Sequence, residues 1–159
     1  MKRIFAIVFS VVFVFAAVVP AFAVSAATEA ETYTEYYGDG SYTVVTITAT
    51  PVANAARAAS QTTAGTKTTD YYDSADKLQW SAKVRGVFTY NGSTATCTSA
   101  TVSHEIHSSK WKCHSEVASK SGNTARGDFE FYLYTLALIH INTREAHPVL
   151  TCSASGNLS

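Results

Sequence analysis

The residues best suited to chemistry lie in the short stretch His104-Glu-Ile-His107. Histidine and glutamate are common zinc ligands, but this stretch is one residue shorter than the His-Glu-x-x-His zinc motif. On a strand, residues three apart project from opposite faces, which separates the two imidazoles. His114 and Glu116 follow closely, so a site carried by a loop remains an alternative. We expect exposed polar histidines here, with no metal ion and no cofactor.

A cysteine nucleophile is the second chemistry that the residue types allow. Cys113 has His114 beside it, and nucleophilic catalysis needs a thiolate activated by such a base. Adjacent strand residues point apart, so this pair is not a dyad on its own. The sequence also has no nucleophile elbow, phosphate-binding glycine loop or paired-carboxylate signature. We therefore expect no catalytic residues. A small hydrolase-like secreted enzyme using His104, His107 and Cys113 is kept as an alternative.

The elements that carry these residues are predicted to be β-strands. Residues 77–90 alternate between apolar and polar side chains, interrupted only at Val87, which predicts a long strand with one buried face. Gly86 in its middle suggests a bulge or bend. Asn91-Gly92 then predicts a tight hairpin with positive φ at both residues. Similar patterns recur along the chain and give about seven or eight strands. They predict an all-β domain, a β-sandwich or small barrel, of which we favour a single β-sandwich.

Two stretches leave the secondary structure open. Residues 52–64 are rich in alanine and begin after Thr50-Pro51, as a helix would, yet residues 60–63 favour a strand. We favour the strand. Residues 129–141 are apolar on both faces, which predicts a central strand covered on both sides, or a strand that continues into a buried bend. A helical turn over residues 136–141 is kept as an alternative.

The N-terminal residues are typical of an export signal. Lys2 and Arg3 precede an uncharged apolar run over residues 4–19, and Ala21-Phe-Ala23 fits a small-x-small cleavage site. We expect residues 1–23 to be a cleaved signal peptide and the mature form to be secreted, without a membrane anchor. Residues 24–40 are acidic and contain tyrosines, which predicts a loosely ordered tail. The β-sandwich domain is expected to cover residues 41–159.

Four basic side chains are candidates for a binding surface. Lys83, Arg85, Lys110 and Lys112 are expected on the solvated faces of two strands. Such a patch would suit anionic glycans or cell-wall polymers. Lysines at these positions also keep a sheet soluble and discourage edge pairing, and this second interpretation stays open.

The three cysteines of the predicted mature chain are Cys97, Cys113 and Cys152, and strand phase does not choose a disulfide pair among them. Trp111 lies between the first and the last, which resembles the Cys…Trp…Cys arrangement of immunoglobulin-like sandwiches, where the tryptophan packs on the bridge. That likeness implies a Cys97–Cys152 disulfide near Trp111, with Cys113 as a thiol. Two departures are that Leu150 stands where that fold has a tyrosine, and that only seven residues follow Cys152.

A second resemblance rests on residues 86–97, 119–125 and 150–156. These turn and strand segments resemble a group of small secreted proteins of Gram-positive, Clostridia-type bacteria, over roughly residues 77–159. The resemblance implies secretion and a β fold, transfers no activity, and implies that the equivalents of Cys97 and Cys152 form the usual pair.

Charge and composition narrow the function classes. Twelve basic residues balance twelve acidic ones, which disfavours a dedicated nucleic-acid binder. We expect a non-catalytic extracellular module that binds a surface polymer, a glycan or a protein. A flat face rich in Tyr, Lys and Thr would favour this function, and a pocket of converging His and carboxylates would favour the enzyme. A large exposed apolar patch would favour a structural or toxin-like secreted protein.

Overall fold

The computed structural model describes residues 30–50, 52, 60–135 and 137–159, which form two antiparallel β-sheets. The all-β prediction is confirmed, and within these ranges the sheets do not close into a barrel. The five-stranded sheet contains β1 (Ala30–Tyr36), β2 (Tyr42–Thr50), β3 (Gln61–Tyr72), β4 (Leu78–Tyr90) and β5 (Ala95–Ile106), paired in chain order. The four-stranded sheet contains β6 (Trp111–Ser121), β7 (Thr124–Tyr134), β8 (His140–Ala146) and β9 (Val149–Thr151).

In the four-stranded sheet, β7 is central. β6 pairs along one of its edges, and β8 and β9 pair one after the other along the opposite edge. His147 and Pro148 separate β8 from β9. The described residues include no helix with the length and hydrophobicity that a membrane crossing requires.

Two hydrophobic clusters connect the sheets, and we call the faces that carry them the inner faces. The first cluster joins Val84 and Phe88 of β4 to Leu150 and Cys152 at the C-terminal end of the chain. The second is aromatic and joins residues of both sheets: Tyr71, Trp80, Ala82, Trp111, Phe129, Phe131 and Ala146. Stacked rings dominate it, with 4.1 Å between the centroids of Trp80 and Phe131.

The alternation in residues 77–90 is reproduced by β4 from Ala82 onward, whereas Gln79 and Ser81 on the opposite face are buried as well. Trp80, Ala82, Val84 and Phe88 are buried on its inner face. The bulge expected at Gly86 appears next to it, as a register shift between Val87 and Phe88 against β5.

The predicted hairpin between β4 and β5 is present, with a different turn. Only Gly92 of the pair has positive φ, at 85°. The Asn91 side chain helps to close this turn, because its Oδ1 accepts hydrogen bonds from the N–H groups of Ser93 at 3.0 Å and Thr94 at 2.9 Å. The side chain thus replaces the backbone geometry of a type I′ turn.

The segment expected as an acidic tail contains a strand. Ala30–Tyr36 forms β1 and pairs with β2 residue for residue. Threonine and tyrosine favour strands, and the Tyr36 ring lies 5.5 Å from that of Tyr42 across the pair. The ordered part of the chain therefore begins before residue 41. The predicted signal peptide, residues 1–23, and residues 24–29 lie outside the described residues.

The structure shows part of the secondary structure of the two stretches that the sequence left open, residues 52–64 and 129–141. β3 begins at Gln61, so the end of 52–64 is strand, while residues 53–59 lie outside the described ranges. The apolar run 129–141 is the central strand β7 up to Tyr134, followed by a turn with positive φ at Leu138 and the start of β8. The last strand, β9, is short and ends at Thr151.

The five-stranded sheet extends beyond the part that the other sheet covers. The four-stranded sheet packs on β3, β4 and β5. β1 is exposed along its whole length. The inner face of β1 is therefore free to line a groove, whereas the inner face of β2 is buried beneath it.

Candidate binding groove

A groove of about 320 Å³ lies between the inner face of β1–β3 and the segment that joins β8 to β9. Its floor comes from neighbouring strands, and its wall comes from residues 145–149. The lining residues are Tyr33, Glu35, Tyr37, Thr43, Val45, Lys67, Thr69, Trp80, Glu145, Ala146, His147, Pro148 and Val149.

Strand register places the floor residues side by side. Tyr33 pairs with Val45, which pairs with Thr69, so these three side chains form one row across β1, β2 and β3. Glu35 and Thr43 start the next row. Because successive strand residues alternate between faces, Tyr33 and Glu35 both point to the groove side.

Two tyrosines give the groove its aromatic surface. The ring of Tyr33 is 41% exposed, and the Lys67 ammonium lies 5.8 Å from its centroid. The ring of Tyr37 has the guanidinium of Arg144 at 5.1 Å. Asp39 bonds Arg144 through its carboxylate, which fixes the arginine over that ring. A cation therefore lies over each of the two rings.

The phenol of Tyr33 remains protonated at neutral pH. Partial burial raises the pKa of Tyr33, and the negative charges of Glu35 and Glu31 raise it further. The hydroxyl can therefore donate a hydrogen bond to a ligand as well as accept one.

The wall of the groove carries a charged network centred on His147. Its Nδ1 lies 2.7 Å from an oxygen of Asp128, and its Nε2 lies 3.2 Å from an oxygen of Glu145. Arg126 also bonds Asp128, and this bond, followed by that of His147, lowers the pKa of the Asp128 carboxyl. Both ring nitrogens of His147 are therefore engaged by carboxylates.

Trp80 lies at the bottom of the groove and belongs to the aromatic cluster. Its side chain is 1% exposed and stacks on Tyr71 and Phe131. The indole Nε1 is buried without a hydrogen-bond partner among the described residues. An unpaired buried donor costs free energy, so the stacking contacts must offset it.

The four basic candidates do not form one surface. Lys83 and Arg85 lie on the outer face of the five-stranded sheet, and Lys83 is paired with Glu105. Lys112 lies on the outer face of the other sheet, with its ammonium 5.2 Å from the Tyr134 ring centroid. Lys110 lies in the turn before β6, beside a second cleft that Trp111 and Tyr134 line.

The expected Cys97–Cys152 disulfide is absent, and all three cysteines are free thiols. Cys97 and Cys152 are buried in the first cluster, but the thiols donate to the carbonyls of Ser99 and Ser153 at 3.3 and 3.4 Å. Burial raises the pKa of both, so they stay protonated. Trp111 lies in the second cluster, which corrects the expectation that it packs near this pair.

The histidine and cysteine candidates separate into two groups. His107 lies near Ser81 and Glu105, and His114 stacks on Tyr132 with 4.2 Å between ring centroids. His104 and Cys113 instead lie together on the inner side. Burial, followed by the charge of Glu116, raises the pKa of Cys113, which opposes its use as a nucleophile.

The groove was not found from the sequence because β1 was assigned to a tail. Thr and Tyr, which favour strands, alternate over residues 32–34 and were the available signal for a strand. His147 and Glu145 gave no signal, since only the pairing of β8 and β9 with β7 brings them to β1.

Comparisons with known proteins identify no relative. No protein-family profile matches the chain, and no curated protein or solved structure matches it significantly. The resemblance to small secreted bacterial proteins therefore stays a prediction.

Proposed function

We propose that this protein is a secreted, non-catalytic β-sandwich module that binds an extracellular glycan in the groove beside β1. The observation that carries the proposal is the pair of exposed tyrosines, Tyr33 and Tyr37, beside closely spaced groups of both charges. Secretion rests on the pattern of residues 1–23.

The lining chemistry suits a neutral, polyhydroxylated ligand. Pyranose rings present C–H faces that pack on aromatic rings, and hydroxyls that bond to carboxylates, ammonium groups and threonines. The groove offers Tyr33 for the first contact, and Glu35, Glu145, Lys67 and Thr69 for the second. A strongly anionic or cationic ligand would meet groups of its own charge here, which costs free energy.

His147, which lines the groove, is poorly placed to act as a general base. A catalytic histidine needs a ring nitrogen free to take a proton from the substrate. Asp128 and Glu145 occupy both nitrogens of His147. This engagement of His147 favours the proposed binding function over a histidine-based reaction in the groove.

A specific observation favours a structural or toxin-like role as the second candidate. Leu138 and Ile139, in the turn between β7 and β8, are 70% and 62% exposed, and Ile141 at the start of β8 is 58% exposed. Ile141 also lines the second cleft, of about 390 Å³, together with Trp111 and Tyr134. Contiguous exposed apolar side chains are typical of contact surfaces. Binding to neutral lipid vesicles that is lost in the Ile139→Asn variant would support this role.

Glycan-array screening of the mature chain, followed by calorimetric titration of the best ligand, tests the glycan proposal. We expect Tyr33→Ala to weaken binding about tenfold or more, since a buried stacking contact of this kind contributes about 1.4 kcal/mol. Tyr72→Ala is the matched control, because that ring stacks on Tyr42 away from the groove. Equal losses in both variants, or no glycan bound, would contradict the proposal.

A further inference from the structure

β6 contains a bulge that changes which side chains share a face. Its pairing with β7 is irregular between Cys113 and Ser115, and His114 is the extra residue. In a regular strand, Cys113 and Glu116 are three residues apart and would point to opposite faces. With the bulge, Cys113 pairs with Phe131 and Glu116 pairs with Phe129.

Both partners are buried on the inner face of β7, with Phe131 0% and Phe129 2% exposed. Cross-strand partners project to the same side of a sheet. Cys113 and Glu116 are therefore brought to the same inner side. The sequence argument against a metal site assumed regular alternation, which this bulge interrupts.

His104 reaches the same place from β5. It pairs with Ala82, which is fully buried, so it is on the inner side of its sheet. The His104 Nδ1 lies 2.8 Å from a carboxylate oxygen of Glu116. One ligand atom each of His104, Cys113 and Glu116 lies within 4.8 Å of the other two. Two adjacent edge strands, one from each sheet, thus contribute to a single cluster.

This cluster has the aromatic core on one side and solvent on the other. Cys113 packs against the aromatic cluster, and the His104 ring lies edge-on to Phe131 with 6.2 Å between centroids. The His104 and Glu116 side chains are 32% and 37% exposed, so water and ions can enter. An apolar shell behind the ligands and a solvent-accessible front are typical of zinc sites with an open position.

The donor set selects among metals. One nitrogen, one thiolate and one carboxylate suit Zn²⁺, whereas Ca²⁺ and Mg²⁺ prefer oxygen ligands alone. Tetrahedral Zn²⁺ with bonds of about 2.0–2.3 Å separates its ligand atoms by about 3.4–3.6 Å. Atoms already within 4.8 Å of one another reach that spacing through small side-chain rotations.

We propose that His104, Cys113 and Glu116 bind one Zn²⁺ ion, with water in the fourth position. The other two candidate histidines are not part of the site. His107 lies near Ser81 and Glu105, and His114 stacks on Tyr132 on the opposite face of β6. They are matched controls, because they are the same residue type within ten residues of the ligands.

Zinc and cobalt titration of the chelator-treated full chain, in reducing buffer, tests the proposal. We expect one equivalent of Zn²⁺ to bind and Co²⁺ to give a thiolate charge-transfer band. Cys113→Ser removes that band, and His104→Gln weakens Zn²⁺ binding at least tenfold. His107→Gln and His114→Gln bind as the wild type does.

Three outcomes would contradict the proposed zinc site. They are the absence of stoichiometric zinc binding, a cobalt spectrum without a thiolate band, and an equal loss of zinc affinity in His107→Gln and His104→Gln. Urea unfolding of each metal-free variant checks the fold. If Cys113→Ser is unfolded, Glu116→Gln takes its place, with weaker zinc binding expected and unchanged affinity counting against the site.

Discussion

Gly86 occupies a position where an added methyl group has no room. A Cβ built on Gly86 lies 2.5 Å from two ring carbons of Phe88 and 3.1 Å from the Cβ of Ala125. Both neighbours are fully buried. The Phe88 ring therefore covers the glycine and contacts the opposite sheet at the same time.

Replacing Gly86 by alanine tests whether this packing is rigid. Without a clash, Gly→Ala in a strand interior would stabilise the fold by about 0.5–1 kcal/mol, because the unfolded chain loses freedom. Overpacking a buried site costs about 1–3 kcal/mol. Since the Phe88 ring is fully buried, we expect Gly86→Ala to lower the free energy of unfolding by about 2 kcal/mol.

Urea denaturation followed by tryptophan fluorescence measures this change. With a slope of about 2 kcal/mol per molar urea, the midpoint falls by about 1 M. Gly38→Ala is the control, because a Cβ there meets nothing within 4 Å. A Phe88→Leu background should reduce the penalty of Gly86→Ala. A Gly86→Ala midpoint at or above that of the wild type would refute the rigid packing.

Three further outcomes are expected. In a thiol-reactive dye assay under reducing-agent-free conditions, half-buried Cys113 reacts in the native protein, whereas buried Cys97 and Cys152 react only on unfolding. Gly92→Ala lowers the free energy of unfolding by about 1 kcal/mol in urea titrations, because φ there is 85°. Arg126 and His147 lower the pKa of the Asp128 carboxyl in the folded protein. The contribution of this carboxylate to the free energy of unfolding is therefore fully present above the unfolded-state pKa of about 3.9, and it is lost as the pH falls through the folded-state pKa. Urea midpoints measured between about pH 2 and 5 should therefore fall less steeply in Asp128→Asn than in the wild type.

Local pattern was sufficient for the strands with one buried face. β4 and its hairpin were predictable because alternation and Asn91-Gly92 act within a few residues of each other. β1 was missed because its glutamates and its exposure resemble a solvated tail. Its ordering comes from pairing with β2, which sequence periodicity does not report.

The two sites depend on contacts between distant residues. The groove needs residues 145–149 to meet β1, which follows from β8 and β9 sharing one edge of β7. The His104–Cys113–Glu116 cluster needs one extra residue in β6, and nothing in the local sequence marks His114 as that residue. Cys97 and Cys152 are free thiols in this structure although the expected disulfide joined them, since spacing along the chain does not orient thiols.

The exposed edge of β1 also bears on self-association. Within the described ranges no strand pairs with its outer edge, which leaves backbone donors and acceptors open to a second copy. Glu31 and Glu35 point to the groove side of this edge strand, and charges so placed discourage edge-to-edge joining. An added copy would bring four glutamates together in a partly dehydrated seam. The side chains of β1 thus protect the open edge of its sheet against pairing with a second copy.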